Sequence, residues 1–278
     1  MAKVYTEKEV IDRLRKEIAA NKPLFCPNCG CGLTAKLQAM GGADVICVSA
    51  TSYWRLKGQG SLAPLMPYSD INKCIMSIVP EVVMNAGDVP VVTLSGGTNP
   101  LLPHRKHLEM LREMGVSGIN PFMMNIYGEH VMKQMEKIGM GWSKEVDFVH
   151  EAHEMDMFTL AYAFTPEEAK ILTEAGASAI ASHCGTTTGG LKGAVTDFTL
   201  DDAAKLSQEI FDAAKEVNPD IITFAHGGPI EGPAEAKYIF EHTDAHGFIG
   251  GSAAERMPIE KAVLAATKEY KEIEMPAR

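Results

Sequence analysis

Two short apolar runs near the carboxyl end of the chain, each closed by paired glycines, constrain the fold more than any other feature. The first run ends at Gly227 and Gly228, and the second ends at Gly250 and Gly251. A short apolar run bounded by turn residues is typical of a buried parallel strand. Glycine lets the backbone approach a ligand, and a helix that begins just afterwards directs free N–H groups towards an anion. We therefore predict two consecutive strand–turn–helix units that share an anion site.

The same alternation of strand and helix runs through the whole chain. Eight short apolar runs, beginning near residues 23, 44, 90, 117, 156, 177, 220 and 246, are separated by segments of helical periodicity. This alternation predicts a parallel sheet, and a closed (β/α)₈ TIM barrel of the α/β class is its most economical form. An open doubly wound sheet is the alternative. It is disfavoured because no Gly-x-Gly-x-x-Gly motif opens the first helix.

Three additions to the simple barrel are predicted. Residues 1–22 form an amphipathic helix, with Thr6 and Glu9 in a capping box, and we expect this helix to cap the amino-terminal end of the barrel. Long loops follow the second strand (residues 51–72) and the fourth strand. No linker or internal repeat divides the sequence, so we predict one domain over residues 1–278.

Composition restricts the partners. The net charge of −10 argues against nucleic acid and against an anionic membrane surface, although a local positive site can still hold a small anionic metabolite. No apolar run approaches the roughly 20 residues of a membrane-spanning helix, and the polar first residues are not typical of a signal peptide. Six cysteines without a secretion signal favour reduced thiols. We expect a cytoplasmic protein.

The candidate catalytic residues lie where predicted strands end, because the carboxyl ends of the strands form the active face of a barrel. His183 and His226 end the sixth and seventh strands, where an imidazole can act as an acid or a base near neutral pH. The alternative is that each histidine holds a loop backbone in place. Tyr162, which could equally be a packing residue, and Glu255 complete the predicted catalytic set.

A second set of residues is predicted to bind the substrate through hydroxyl, guanidinium or backbone N–H groups. Arg55 or Lys57, in the loop after the second strand, could meet a carboxylate, and Arg256 could clamp an anion with two hydrogen bonds. The alternative for this loop is that its aromatic side chains pack on a neighbouring subunit. The predicted substrate-binding residues are Arg55, Ser95, Thr186, Thr187, Gly227, Gly228, Gly250, Gly251, Ser252 and Arg256.

Metal and covalent chemistry find less support. No lysine ends a predicted strand, which disfavours a Schiff base. Carboxylates are scarce at the strand ends, so no metal site built only from protein ligands is predicted, and Asp70 and Glu129 are the best candidates for partial ligation of a divalent cation such as Mg²⁺. The run Cys26, Cys29 and Cys31 invites a zinc or iron–sulfur interpretation, but the expected second cysteine pair or histidine cluster is absent, although a thiolate at a helix N-terminus could still be reactive.

Several motifs occur in an order that resembles the phosphoenolpyruvate hydrolase-like family. The resemblance extends from about residue 18 to residue 273. It is carried by residues 39–44, 58–63, 66–72, 136–141, 183–190, 217–220, 226–230 and 246–258, which include His183-Cys-Gly-Thr-Thr-Thr-Gly-Gly190 and His226-Gly-Gly-Pro-Ile230.

The resemblance implies a TIM barrel related to enzymes that act on phosphoenolpyruvate. It also implies hydrolase activity on a small phosphorylated or keto-carboxylate metabolite, with phosphate binding at the carboxyl-terminal face. The Glu-Asp-Lys and Lys-Lys-Cys-Gly-His signatures of mutase and lyase relatives are absent from the sequence. Two alternatives stay open, a metal-assisted carbon–carbon lyase or aldolase of the phosphoenolpyruvate/pyruvate type, and a ligand-sensing or interaction protein without catalysis. We also expect a homo-oligomer.

Overall fold

The computed structural model describes residues 3–277, and its centre is a closed barrel of eight parallel strands. The strands pair in chain order, and β1 closes the barrel by pairing with β8. The predicted (β/α)₈ TIM barrel is therefore confirmed. The strands are β1 (Leu24–Cys29), β2 (Ile46–Val48), β3 (Val91–Ser95), β4 (Gly118–Pro121), β5 (Phe158–Ala163), β6 (Ala179–His183), β7 (Ile222–His226) and β8 (Gly247–Gly250).

Helices occupy the connections between the strands. Several begin at N-cap residues that can be recognised in the sequence, such as Thr199, whose side chain accepts a hydrogen bond from the N–H of Asp202. The helices are α1 (Glu7–Ala19), α2 (Gly32–Met40), α3 (Ala50–Leu56), α4 (Ile71–Asn85), α5 (His104–Glu113), α6 (Glu129–Lys137), α7 (Ser143–Glu154), α8 (Pro166–Glu174), α9 (Leu200–Val217), α10 (Pro233–His242) and α11 (Arg256–Lys271).

The segment after β2 differs from the prediction of one continuous long loop. Helix α3 begins directly after β2, because the Ser49 side chain accepts a hydrogen bond from the N–H of Ser52 and caps it. A single 3₁₀ turn, Ala63–Leu65, follows before α4 begins. The irregular part of this connection is therefore shorter than expected, and Arg55 lies on a helix rather than on a loop.

The inside of the barrel is a packed apolar core, and α1 covers its amino-terminal end. Leu24, Leu94 and Phe224 contribute to the same buried cluster as Val10 and Leu14 of α1. The capping box of α1 is present, since the Thr6 side chain and the Glu9 carboxylate each accept the other residue's backbone N–H. The start of α1 and Tyr5 before it also bond residues that precede two strands. The N–H of Tyr5 donates to Ser117 Oγ, before β4, and the N–H of Glu7 donates to the carbonyl of Asp156, before β5.

Strand register brings the two predicted catalytic histidines together. His183 and His226 are direct neighbours at the carboxyl ends of β6 and β7. Side chains alternate between the two faces of a strand, so His183 lies on the same face as Ala179 and Ala181, and that face lines the barrel interior. Both imidazoles therefore close the top of the core.

No helix within residues 3–277 is both long enough and apolar enough to cross a membrane.

Candidate functional site

A narrow cavity lies at the carboxyl-terminal end of the barrel, above the interior core. Its volume is about 30 Å³, well below the roughly 300–1,000 Å³ of common small-molecule sites. A ligand larger than one or two waters therefore requires its cover, the segments that carry Ser61, Leu62, Met123 and Ile126, to open. The lining residues that belong to the predicted set are Arg55, His183, Thr186, Thr187, His226 and Gly251. The other lining residues are Asn28, Thr51, Ser61, Leu62, Met123 and Ile126.

The Nε2 atoms of the two histidines differ, since one carries a proton and the other a free lone pair. Nδ1 of His183 lies 3.1 Å from the backbone nitrogen of Gly185 and accepts its hydrogen, so in the neutral ring the proton is on Nε2. Nδ1 of His226 lies 2.8 Å from the carbonyl oxygen of Ile249 and must donate to it, which leaves Nε2 with a lone pair. The pair therefore offers one N–H donor and one acceptor.

Burial keeps both rings neutral. Burial, and then the proximity of His226, holds the pKa of His183 well below its ordinary value. Burial lowers the pKa of His226 to about 4, and the Arg55 guanidinium also lowers it against the opposing hydrogen bond to Ile249. At neutral pH a proton acceptor and a proton donor therefore lie side by side.

Tyr162 lies next to both histidines but does not line the cavity. Its ring centroid is 5.1 Å from that of His183 and 4.9 Å from that of His226. The amide nitrogen of Asn120 can donate to the carbonyls of Leu160 and Pro121. The hydroxyl of Tyr162 is buried and has no hydrogen-bond partner among the described residues. Burial raises the pKa of Tyr162 well above its ordinary value. The geometry gives Tyr162 the role of supporting the two imidazoles from below.

Arg55 is the cation of the cavity. Its side chain is 5% exposed, and its Nη2 donates to Ser52 Oγ at 2.6 Å while Nη1 donates to Ser61 Oγ at 3.3 Å. Nε is buried without a hydrogen-bond partner, and no carboxylate of the described residues forms a salt bridge with this guanidinium. Burial lowers the pKa of Arg55, while Glu255 opposes that shift. A buried guanidinium without a bonded counterion is a strong candidate for binding an anion.

Lys57, the other cation considered for this role, points elsewhere. Its ammonium lies 4.3 Å from the ring centroid of Tyr53. The aromatic residues of the same segment pack on one another, because Trp54 lies edge-on to Tyr53 and to Tyr68. The structure thus brings Arg55 rather than Lys57 to the cavity, and Tyr53 and Trp54 are packed within the chain.

Glu255 is 1% exposed and bonds to the first strand–helix turn. Its Oε1 accepts from the N–H of Gly30 at 2.9 Å and from Thr34 Oγ1 at 2.7 Å. Its Oε2 has no hydrogen-bond partner. The carboxylate is not part of the cavity lining, so its direct role is to join the loop after β8 to the turn after β1 and to place a negative charge near Arg55.

The glycine corners differ from each other. The N–H of Gly228 donates to the carbonyl of Gly185, and α10 begins only at Pro233, so this amide is already engaged and does not open a helix. Gly227 and Gly228 have φ of 81° and 56°, and a side chain at either would overlap a carbonyl of residues 184–185. These two glycines therefore allow close contact between two loops.

Gly251 does reach the cavity. A Cβ atom added there would lie 3.2 Å from Cε1 of His226 and 3.7 Å from Nη1 of Arg55. A Cβ at Gly250 would instead collide with Ala254 and with the Phe25 ring on the outer side of the barrel. One glycine of this pair thus makes room in the cavity, and the other permits packing outside it.

Three other predicted residues are engaged elsewhere. The hydroxyl of Ser95 lies 2.8 Å from Thr93 Oγ1, on the face of β3 opposite to Leu94, and therefore away from the cavity. Arg256 forms a 2.6 Å salt bridge with Glu260 through Nη1 and donates from Nη2 to the carbonyl of Gly189, so both of its terminal nitrogens are already bonded. Ser252 Oγ lies 3.3 Å from Ser61 Oγ, at the edge of the cover.

The side chains that cover the cavity were not identified by sequence reasoning. Ser61 and Leu62 come from the segment between α3 and α4, and Met123 and Ile126 from the residues after β4. Both segments lie in the two long connections, where extra length after a barrel strand indicates a loop over the active face. That length was a usable signal, but it does not indicate which side chains turn inwards.

The cysteines and the carboxylates do not form a metal site. All six cysteines are free. Burial, followed by Glu255, raises the pKa of Cys29 to about 12, so this thiol stays protonated, and the cysteine at the N-terminus of α2 is Cys31. Asp70 caps α4 and pairs with Lys73, while Glu129 pairs with Lys133. Within residues 3–277 no group of three or more His, Cys, Asp or Glu side chains is arranged to hold a metal ion.

Fold and site together define a TIM-barrel protein with a cationic pocket, containing two histidines, at the carboxyl ends of its strands. The family model described as phosphoenolpyruvate hydrolase-like matches residues 9–273, and the chain belongs to this family. This confirms the resemblance noted in the sequence.

Curated relatives are longer proteins. The chain is 36% identical over 268 residues to the ToMV susceptible protein tm-1(GCR26) of Solanum lycopersicum, and 35% identical over 268 residues to the ToMV resistance protein Tm-1(GCR237) of the same species. These alignments cover 96% of the chain but 36% of each relative. The chain therefore spans about a third of the length of these proteins.

Solved structures share the fold at low sequence identity. A 2,3-dimethylmalate lyase of the PEP mutase/isocitrate lyase superfamily gives a TM-score of 0.62 at 12% identity, covering 99% of this chain and 90% of that chain. A phosphonopyruvate hydrolase, in complex with oxalate and Mg²⁺, gives a TM-score of 0.60 at 15% identity, covering 94% and 84%. At these identities the likeness shows the fold alone.

Proposed function

We propose that this barrel is a hydrolase of a small anionic metabolite of the phosphoenolpyruvate type, which it binds in the Arg55 cavity. The observation that carries the proposal is Arg55, a buried guanidinium without a salt-bridge partner, lining the same cavity as two histidines whose Nε2 groups differ. Membership of the phosphoenolpyruvate hydrolase-like family agrees with this substrate class, and so does the fold shared with a phosphonopyruvate hydrolase.

Arg55 supplies the binding energy for the anion. A guanidinium bonds a carboxylate or a phosphate with two parallel N–H donors, and its weak present contact to Ser61 can be exchanged for a ligand oxygen. Thr186, Thr187 and the amide side chain of Asn28, whose Oδ1 has no present partner, complete a polar lining for the remaining oxygens. A ligand of three carbons enters only when the segment with Leu62 moves outwards, since the closed cavity is about 30 Å³.

The histidine pair supplies both proton transfers of a hydrolysis. Nε2 of His226 removes a proton from a water as the water oxygen attacks phosphorus. Nε2–H of His183 protonates the bridging oxygen as the phosphorus–oxygen bond breaks, which yields inorganic phosphate and the enol form of pyruvate. A bound dianion raises the pKa of His226 from about 4 and strengthens it as a base. Exchange with solvent then returns the proton from His226 to His183.

Mg²⁺ chemistry does not fit these residues. The cavity lining contains hydroxyls, an amide, two imidazoles and a guanidinium but no carboxylate among the described residues, whereas Mg²⁺ prefers oxygen ligands that include one or two carboxylates. The positive charge of Arg55 also opposes a cation at this position. We therefore expect that EDTA leaves phosphate release unchanged. Formation of pyruvate plus an aldehyde that EDTA abolishes and Mg²⁺ restores would favour the carbon–carbon lyase alternative instead.

A pair of neighbouring substitutions tests the binding step. Arg55→Met removes the proposed anion-binding group, and Lys57→Met removes the same charge two residues away, from a side chain that lies on Tyr53. Phosphoenolpyruvate should raise the Tm of the wild type and of Lys57→Met equally, and its Kd should rise at least tenfold in Arg55→Met, a difference of about 1.4 kcal/mol. Equal affinity in all three proteins would refute the assignment of Arg55.

Turnover distinguishes an enzyme from a ligand-sensing protein that has no catalytic activity. Phosphate release from phosphoenolpyruvate that depends on both Arg55 and His226 supports the hydrolase. Tight binding without any product would instead identify a ligand sensor.

The free thiols suit a reducing compartment, and we propose that the reaction takes place in the cytoplasm.

A further inference from the structure

Two thiols and a buried carboxylate meet at the turn between β1 and α2. Cys29 ends β1 and is buried, whereas Cys31 is partly exposed at the N-cap of α2. The hydroxyl of Thr34 lies 3.3 Å from Cys29 Sγ and 3.5 Å from Cys31 Sγ. The same hydroxyl donates to the Glu255 carboxylate at 2.7 Å. Both sulfur atoms therefore contact one oxygen atom, beside one carboxylate.

The strand separates Cys26 from this pair of thiols. Side chains alternate between the two faces of a strand, so Cys26 and Cys29, which are three residues apart, lie on opposite faces of β1. Cys26 belongs to the apolar cluster inside the barrel, and Cys29 belongs to the outer cluster that includes Ala35 of α2. A disulfide between Cys26 and Cys29 would have to cross the sheet. Cys29 and Cys31 are separated only by Gly30.

Cys31 is the thiol of this pair that a solute can reach. It is partly exposed, and it lies at the N-terminus of a nine-residue helix. The free N–H groups at a helix N-terminus favour a thiolate, which is the form that attacks a peroxide. Cys29 lies behind it, and its Sγ donates to the carbonyl of Cys31 at 3.2 Å. One thiol is thus placed to react first, and the other is placed to react with the product.

Glu255 connects this turn to Arg55. Its Oε1 accepts from the N–H of Gly30 at 2.9 Å and from Thr34, and its Oε2 is buried without a hydrogen-bond partner among the described residues. Nε of Arg55 is also buried without a partner in that part of the chain. Burial lowers the pKa of Arg55 and Glu255 opposes this shift, so the two charges are already close. The bonds to the turn hold the carboxylate back from the guanidinium.

We propose that Cys29 and Cys31 form a disulfide when a peroxide oxidises them, and that this disulfide releases Glu255 to pair with Arg55. Hydrogen peroxide first oxidises Cys31 to a sulfenic acid, and one water leaves. The Cys29 sulfur then attacks the Cys31 sulfur, and the sulfenic hydroxyl leaves with the Cys29 proton as a second water. Two thiols are oxidised to one disulfide while one peroxide is reduced to two waters. A dithiol reductant reverses the reaction.

The disulfide acts on Glu255 through Gly30. The ring that it closes includes the backbone nitrogen of Gly30, so closure turns the N–H of Gly30 away from Glu255 Oε1. The freed carboxylate pairs with Arg55 and takes the place of an anionic ligand. This consequence rests on the proposed function of Arg55, whereas formation of the disulfide does not. Disulfides in the cytoplasm are usually transient and often redox-sensing, which agrees with a reversible loss of anion binding.

Thiol labelling tests the oxidation. The folded protein is exposed briefly to hydrogen peroxide, then denatured, labelled with N-ethylmaleimide and mapped by mass spectrometry. The wild type should lose its labels at Cys29 and Cys31 together, and dithiothreitol should restore both. Cys31→Ser should keep its label at Cys29. Cys74→Ser, which removes a second partly exposed thiol, is the control and should behave as the wild type does.

A trapping experiment identifies the first thiol to react. Cys29→Ala should accumulate a sulfenic acid at Cys31, which dimedone traps. If Cys29→Ala does not fold, Cys31→Ser still decides, because Cys31 is partly exposed and serine is a common N-cap residue. A label that persists at Cys29 in the oxidised wild type, or that is lost there in Cys31→Ser, would overturn the proposal.

Hydrogen exchange and ligand affinity test the release of Glu255. The Gly30 amide, which donates to Glu255 in the reduced protein, should exchange at least about tenfold faster after oxidation. Oxidation should also raise the Kd of phosphoenolpyruvate at least about tenfold. Glu255→Gln keeps the accepting oxygen but lacks the charge, so its disulfide should form without this loss of affinity.

The outcomes separate the two proposals. Unchanged exchange at Gly30, or an equal loss of affinity in Glu255→Gln, would contradict the release of Glu255. If the reduced protein does not bind phosphoenolpyruvate, the proposed function fails. The labels and the exchange at Gly30 then still decide whether the disulfide forms and whether it frees the carboxylate.

Discussion

His183 and His226 lie side by side at the ends of β6 and β7, with ring centroids 4.9 Å apart, and they present opposite proton states towards one cavity. The difference comes from the backbone. His183 Nδ1 accepts from the N–H of Gly185, and His226 Nδ1 donates to the carbonyl of Ile249. The two neutral imidazoles can thus act as acid and base, and neither ring has to gain or lose a proton beforehand.

Removing either imidazole should remove catalysis while binding remains. We expect His226→Ala and His183→Ala each to lower kcat for phosphate release by about 10²–10⁴, the usual contribution of general acid–base catalysis, with a smaller effect on the Kd of phosphoenolpyruvate. His150→Ala, which changes an exposed histidine of α7, is the control. Steady-state kinetics and calorimetric titration measure the two quantities, and an unchanged kcat in both variants would contradict the assignment.

The cover of the cavity can be locked covalently. Ser61 Oγ and Ser252 Oγ lie 3.3 Å apart, so a Ser61→Cys/Ser252→Cys double variant should form a disulfide that holds the segment between α3 and α4 closed. Since the closed cavity is too small for a three-carbon acid, the oxidised double variant should lose at least tenfold in kcat/KM, and reduction should restore it. The single variants under the same oxidant are the controls. Full activity in the cross-linked protein would show that ligands enter without this movement.

Stability should pass through a maximum near pH 6.5. Burial lowers the pKa of His107 and of His226 to about 4, so between pH 4 and 6.5 the unfolded chain binds protons that the folded chain does not, and stability rises with pH. Burial raises the pKa of Glu145 to about 8, so the folded chain keeps a proton on this carboxyl group that the unfolded chain loses at lower pH. The resulting contribution to stability is complete at low pH and is lost as pH rises towards 8. Above pH 6.5 the effect of Glu145 remains, and the free energy of unfolding should fall by about 1 kcal/mol per pH unit.

Glu145→Gln separates these contributions. This variant should lack the decline between pH 6.5 and 8, while Glu154→Gln, at an exposed position of the same helix, should keep it. Urea denaturation at several pH values measures the free energy of unfolding. Parallel curves for Glu145→Gln and the wild type would disprove the role given to this carboxyl group.

The loop contact under the cavity can be tested with two glycines. Gly42 and Gly227 both have positive φ, 89° and 81°, but a Cβ at Gly42 would meet nothing within 4 Å, whereas one at Gly227 would overlap the carbonyl of Gly185. Gly42→Ala should therefore cost about 1–2 kcal/mol from backbone strain alone. Gly227→Ala should cost clearly more, because the loops after β6 and β7 must separate. Similar losses in urea denaturation would show that the contact is easily relaxed.

Local patterns were sufficient for the fold. Short apolar runs and capped helical segments predicted all eight strands, and the bounds of α9 follow from Thr199 at its start and its regular apolar stripe. The same patterns placed His183 and His226 at adjacent strand ends, because neighbouring strands of a parallel barrel end at one face. The helix α3 was missed, since seven residues beginning at a serine cap resemble the start of a loop.

The sequence by itself thus determined the barrel, its family and the strand ends that carry the histidines, because periodicity and capping are properties of neighbouring residues. Only the tertiary structure decided which polar groups face the cavity. Arg256 is paired with Glu260 and Gly189, and the amide of Gly228 is bonded to Gly185, while Arg55 lacks a salt-bridge partner and faces the cavity. Whether a polar group is engaged depends on partners that are distant in the chain, and the sequence does not specify these contacts until the chain is folded.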